Sequence, residues 1–307
     1  MDYPKSVPSV GLVGGKFVDE NQATGVVGSL IPSQWGNAVT DELLAVIRAA
    51  GIAPNEANNG QLLAALQDML RKSAGRLLRT SVYTLIGGVQ MVSVNGSAFT
   101  AVGAGSCTSL ADTKAIDYEV MAGGAAGAGC AAAGNNQISV AGGGSGGTYA
   151  RGYLPTNAAF VLAVSVGAGG IGVAAAPGQP GGSSSLGSLV TCPGGTSSAT
   201  GSTLAPGTTP FIAGGTPQPP APSGSFLFAV RGGQGEYGAF FSSGGFFSGP
   251  GGGSFYGPGA PPVSFYANGS PAVNHGAGGS GSLTTANNGA SIGGNGREGI
   301  ITIREYA

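Results

Sequence analysis

The sequence predicts a mixed fold. An extended N-terminal arm and an α-helical hairpin come first, followed by a mainly-β, glycine-rich sandwich with polyproline-II-like loops. Three observations point there. Apolar residues recur at helical spacing between Trp35 and Leu70. Beyond residue 80, short apolar runs of strand character each end in a glycine run. Finally, 47 of the 62 glycines fall between Gly123 and Gly296, a stretch holding only three formal charges, Arg151, Arg231 and Glu236.

Gly and Pro together make up 81 of the 307 residues, near the level at which low complexity becomes the default expectation. Disordered chains, however, are charged and poor in apolar residues. Here 41% of residues are hydrophobic and 8% charged, so order is expected. Glycine loses more backbone entropy on folding than any other residue. Some ordering interaction must offset that loss, and stacking of sheet-like segments within an oligomer is the expected source.

The elements follow in order, and the spacing divides the chain into 1–79, 80–122 and 123–307. Residues 1–31, with Pro4, Pro8 and short apolar pairs, read as an extended arm with short strands. Pro32 suits a helix start, and Trp35, Val39, Leu43, Val46, Ile47 and Ala50 form one apolar face. Gly51 and Pro54 mark the stop. Asn58 or Asn59 caps a second helix, whose face is Leu62, Leu63, Leu66, Met69 and Leu70, with Arg71 and Lys72 in its last turn. The short link predicts an antiparallel hairpin. Val82–Ile86 and Val89–Val94 read as strands, and Asn95-Gly96 is the strongest hairpin signal. Further strands are expected at Ala115–Met121, Phe160–Val166, Leu186–Thr191, Phe226–Val230 and Gly299–Ala307. In the last, Ile301 and Ile303 share a face. Glycines three apart, such as Gly232/Gly235/Gly238 and Gly293/Gly296/Gly299, would line one side of a polyproline-II helix. Aperiodic glycine loops remain the alternative.

Function classes narrow from the same residues. The net charge is −1 with no basic cluster, so nucleic acid has no electrostatic footing. No apolar run is long enough to span a membrane, and Met1–Val10 lacks the pattern of a signal peptide. Assembly in a cytoplasm is expected. Cys107, Cys130 and Cys192 are odd in number and far apart, which suits small buried residues rather than a disulfide framework or a zinc site. Gly167–Gly172 matches GxGxxG, but no acidic residue follows at the distance a dinucleotide site needs. His275 is the only histidine, too few for a histidine-based metal site. Glu236 stands alone in the glycine stretch, and Asp112, Asp117 and Glu119 would have to approach it to form a glycosidase pair. No cofactor, metal or enzymatic activity is therefore expected.

Aromatics carry the functional signal. Eleven of the 22 lie between Phe226 and Tyr266. Phe226 and Phe228 are expected in a strand core. Tyr237, Phe240, Phe241, Phe246, Phe247, Phe255, Tyr256, Phe265 and Tyr266 are the candidate receptor-binding residues, since aromatics set among Gly and Ser have the composition of adaptable binding loops. Small cores between glycine sheets are the competing explanation.

At this point the chain resembles the tail fibres, or receptor-binding proteins, of tailed bacteriophages. The N-terminal part of the resemblance is MDYPKSVPSVGLVGGKFVDEN with QWGNAVTDELLAVIRAAGIAPNEANNGQLLAALQDML. The C-terminal part is IDYEVMAGGAAGAG, GGTYARGYLP, VSVGAGGIG, GQPGGSSSLGSLVTCPGG and GNGREGIITIREYA. Residues 200–290 match least. The resemblance implies a homotrimer in the virion tail. Its 1–79 region would attach to tail-tip or baseplate proteins, and its glycine-rich domain would bind a host pilus, lipopolysaccharide or capsule. A structural tail-tip connector without receptor contact, and a depolymerase, are the competing expectations.

Overall fold

A computed structural model describes residues 7–71, 75–103, 105–156, 158–205, 211–242 and 245–307. Pro4 in the arm and Lys72 after the second helix lie outside them. The chain divides into two compact units, Met1–Arg76 and Leu77–Ala307.

In the first unit the arm holds a 3-10 turn at Pro8–Val10 and isolated bridges Val13↔Lys16 and Asn21↔Val26. Phe17 meets Trp35 edge-on at 5.1 Å. Two helices follow, α1 (Ser33–Ala49) and α2 (Gln61–Arg71), packed on each other. Pro32 caps α1, and Gly51, at φ 79°, turns the chain out. Buried Gln61 fixes the link between the helices: its Nε2 donates to Ala53 O at 2.7 Å, and its Oε1 accepts from Asn55 N at 2.8 Å.

The second unit is mainly β. It opens with β1 (Leu77–Ile86), β2 (Val89–Val94), β3 (Thr100–Ala101) and β4 (Gly105–Thr108). β5 (Ala115–Met121), β6 (Ile138–Val140), β7 (Tyr149–Pro155) and β8 (Val161–Ser165) follow. Next are β9 (Ser184–Leu186), β10 (Val190–Cys192), β11 (Ser202–Leu204) and β12 (Phe211–Ala213). β13 (Ser223–Gly224), β14 (Phe228–Val230), β15 (Gly238–Ser242) and β16 (Gly245–Phe247) come before β17 (Leu283–Thr284) and β18 (Ile300–Tyr306). A seven-stranded sheet, β14-β7-β5-β18-β1-β2-β3, shares one core with a five-stranded sheet, β13-β10-β9-β8-β4. Ile116, Tyr118, Val120, Ile301 and Ile303 face Cys107, Val164, Leu186, Val190 and Cys192 across it. The three thiols are free and buried, and burial pushes Cys107 up to about 11 and Cys192 up to about 12.

Three local expectations change. Asn95-Gly96 does turn, with both φ positive, but as part of the longer connection from β2 to β3. The tight two-residue hairpin is Gly87-Gly88, at φ 59° and 80°, which joins β1 to β2. Leu186–Thr191 is two strands rather than one: Gly187, at φ +52°, turns β9 into β10. Phe226 and Phe228 are exposed instead of core: β14 is an outer strand of its sheet, and Phe226 lies before that strand begins.

Between the strands the glycine-rich segments run extended and bond to one another in a three-residue cycle. In 122–130, the amides of Ala122 and Ala125 donate to Thr148 and Ser145, and Ala128 to Gly142. Gly123, Ala126 and Gly129 donate to Gly182, Gln179 and Ala176; Gly124, Gly127 and Cys130 donate to Arg297, Gly294 and Ser291. Each partner series descends as the donor series rises, so all three neighbours run antiparallel to 122–130. Three residues per turn is the repeat of a polyproline-II helix. Glycine is required here for close approach. A Cβ on Gly127 would lie 1.9 Å from Ser280 O, and one on Gly124 2.0 Å from Ala277 O.

Candidate functional site

The register defines two ends within the second unit. Leu77 pairs with Tyr306, and Tyr306 with Ala115, at the sheet end where the chain enters. Met121 pairs with Ile300 at the other end of those strands, where the glycine bundle begins. Following 122–130 along the bundle leads to the opposite pole. There, two small sheets, β11-β6-β17 and β12-β15-β16, close the second unit.

The nine candidate aromatics divide between these places. Phe255 and Tyr256 lie back at the seven-stranded sheet, away from the pole. Phe255 stacks on Tyr149 with centroids 3.8 Å apart, and Phe228 meets both rings edge-on. The hydroxyls of Tyr149 and Tyr256 donate to Glu119 Oε2 at 3.1 and 3.2 Å, while Arg304 Nη1 donates to Glu119 Oε1 at 2.6 Å. Arg151 pairs with Asp117 beside them. Burial, then the Glu119 charge, raises both phenols above their ordinary range. Asp117 and Glu119 are thus held by arginines and tyrosines, and Glu236 lies on a different segment, exposed. Tyr237 packs its ring over Gly215 and lines a cavity of about 230 Å³ with Thr216, Pro217 and Gln234.

The pole holds the remaining six. The pairs Phe240-Phe241 and Phe246-Phe247 each divide between the two faces of their sheet. Phe211, Phe240 and Phe246 stand opposite one another across β12, β15 and β16. They turn inward onto Ile138 and Val140, which leaves Phe240 only 3% exposed. The next row, Ile212, Ala239 and Phe247, belongs to the other face. There Phe241 is 55% exposed and its ring lies 5.9 Å from that of Phe247. Phe265 and Tyr266 are exposed on the loop before the Ala267↔Leu283 bridge. Phe240 and Phe246 therefore position the site rather than present it. Ile212, absent from the sequence candidates, joins it. Its signal was the same strand-then-glycine pattern read elsewhere, Phe211-Ile212-Ala213 before Gly214-Gly215.

No charged residue occurs in 130–140, 199–205, 211–215, 237–242, 245–248, 263–268 or 283–291, the described segments that build the pole. Asn136 and Asn287 hold left-handed turns there. Elsewhere, Gly167–Gly172 leads to a turn at Ala175 and no helix follows. His275 lies 3.2 Å from Glu298 O. Among the described residues no three His, Cys, Asp or Glu side chains converge on a metal position, and no helix is long and apolar enough to cross a membrane.

The sequence matches no known family model, and no curated protein matches it.

Proposed function

We propose that this chain is a bacteriophage tail fibre that adheres, without catalysis, to a bacterial surface. On this reading the glycine segments are polyproline-II helices, packed into a stiff block that carries binding loops at its far end, and three copies act together. The observation that carries the reading is the pole itself. Exposed aromatics gather on an uncharged sheet and loop at the end opposite Leu77, where the chain enters the second unit. Exposed apolar patches rimmed by polar residues mark interaction sites, and three copies would multiply weak contacts by avidity. In the first unit, α2 leaves Leu63, Leu66 and Leu70 exposed on one face, which suits attachment to tail-tip or baseplate proteins.

Fluorescently labelled full-length protein, added to a panel of bacterial strains, tests this. Saturable binding to some strains, with protection of those strains from the phage, is expected. Binding to none of a phage's sensitive strains overturns the proposal in favour of a connector. Release of reducing ends from the surface polysaccharide of a bound strain overturns the non-catalytic part.

A further inference from the structure

We infer that the outward face of β12, β15 and β16 takes an uncharged, apolar stretch of a host surface protein, and not a glycan. This deepens the adhesion reading above and rests on it.

Alternation and one irregularity build the face. With Phe211, Phe240 and Phe246 committed to the core with Ile138 and Val140, alternation turns Ile212 and Phe247 the other way. Phe241, at the register shift between Phe240 and Ser242, lies beside Phe247 with ring centroids 5.9 Å apart. Ile212, Phe241 and Phe247 are 59%, 55% and 37% exposed. Their side chains contain no polar atom. A sugar could stack the C–H face of one ring on Phe241 or Phe247, but none of the three side chains could bond its hydroxyls and fix its orientation. Apolar protein side chains need no such partner and gain the burial of two rings and an isoleucine.

Charge argues the same way. Phosphorylated or acidic surface polysaccharides need cations, and the pole segments carry none. The nearest formal charge along β15 is Glu236, two residues before the strand, which repels anions. Strand order supplies the third argument. β12 and β16 are the outer strands of their sheet. An outer strand offers main-chain N–H and C=O groups to an added strand, and an extended peptide recognised that way gains backbone hydrogen bonds while its alternate side chains meet the exposed face. A glycan has no matching repeat of donors and acceptors.

The test uses full-length protein on cells that bind it. Brief protease treatment of the cells should abolish binding, and periodate oxidation of their glycans should leave it intact. Raising salt from roughly 0.05 to 0.5 M should change it less than about twofold, as expected where no ion pairs form. Phe241→Ser with Phe247→Ser should weaken binding about tenfold or more, with melting temperature and oligomeric state unchanged. Ile212→Ser gives an independent check should the double variant unfold. Sensitivity to periodate with resistance to protease overturns the inference while leaving adhesion standing. A changed oligomeric state in the variants also overturns it, because a second copy then covers the face. Absence of binding to any cell overturns the adhesion reading and the inference with it.

Discussion

Glu119 shows how single residues set the behaviour of this chain at high pH. Its carboxylate accepts from Tyr149 and Tyr256 while Arg304 holds its other oxygen. Both phenols keep their protons beyond the ordinary range, through burial first and the Glu119 charge second. An unfolded tyrosine ionises near pH 10. Above that, the folded chain binds more protons than the unfolded one, so stability falls as pH rises. The loss begins lower still, because Cys107 and Cys192 are pushed up by burial as well, and unfolded thiols ionise near about 8.5. Melting temperature should therefore fall steadily above about pH 9. Tyr256→Phe removes one of these linked groups. It should cost about 1 kcal/mol or less near neutrality, where only the hydrogen bond is lost, and it should make the fall above pH 10 shallower. Melting curves at several pH values decide it, and parallel slopes for the two proteins would count against the Glu119 contact.

Among elements, β5 and β18 were legible because alternation is a local property: Ile116, Tyr118 and Val120 against Asp117 and Glu119 declare their faces without help from the rest of the chain. β9 and β10 were read as one strand because Gly187 sits in a run already full of glycine, where a turn glycine has no distinguishing mark. The aromatic hairpin failed differently. Its two Phe-Phe pairs each place one ring inside and one outside, and composition alone could not say which until Ile138 and Val140 arrived as the inner partner. The glycine segments were least legible. The three-residue spacing was visible, but the neighbour each face meets is up to some 170 positions away in sequence, as Gly127 and Gly294 are. The requirement for glycine is testable position by position. Gly127→Ala forces a Cβ to within 1.9 Å of Ser280 O, whereas Gly289→Ala has nothing within 4 Å. Neither backbone is left-handed, so close packing alone separates them. Gly127→Ala should prevent folding or lower the melting temperature steeply. Gly289→Ala should stay within about 0.5 kcal/mol of the parent, as measured by urea denaturation.

For the whole molecule, the same interleaving decides where the chain can be cut. Removing 200–290 as though it were an insertion would take out Gly232, Gly235, Gly251 and Gly278, which lie within the bundle against Gly146, Gly143 and Gly144. Loss of assembly by that deletion would report a broken core and say nothing about receptors. A cut at the N-terminal side is cleaner, but its position matters to within three residues. β1 begins at Leu77, and Arg79 on it reaches Glu305 at 2.6 Å, a carboxylate whose side chain is 1% exposed. Glu305 also meets Cys107, Thr113 and the Leu110 amide, none of which supplies a positive charge. A fragment starting at Leu77 keeps the pair, whereas one starting at Thr80 buries Glu305 without a cation. Breaking a buried pair from one side costs about 3–5 kcal/mol. The 77–307 fragment should therefore fold and bind cells as the full chain does, and 80–307 should unfold at markedly lower urea. Adding Glu305→Gln to 80–307 should recover part of the difference, because it removes the orphaned charge. Equal midpoints for the two fragments would mean that the pair contributes little. Recovery by Glu305→Gln would instead place the cost on the unpaired carboxylate rather than on the three missing strand residues.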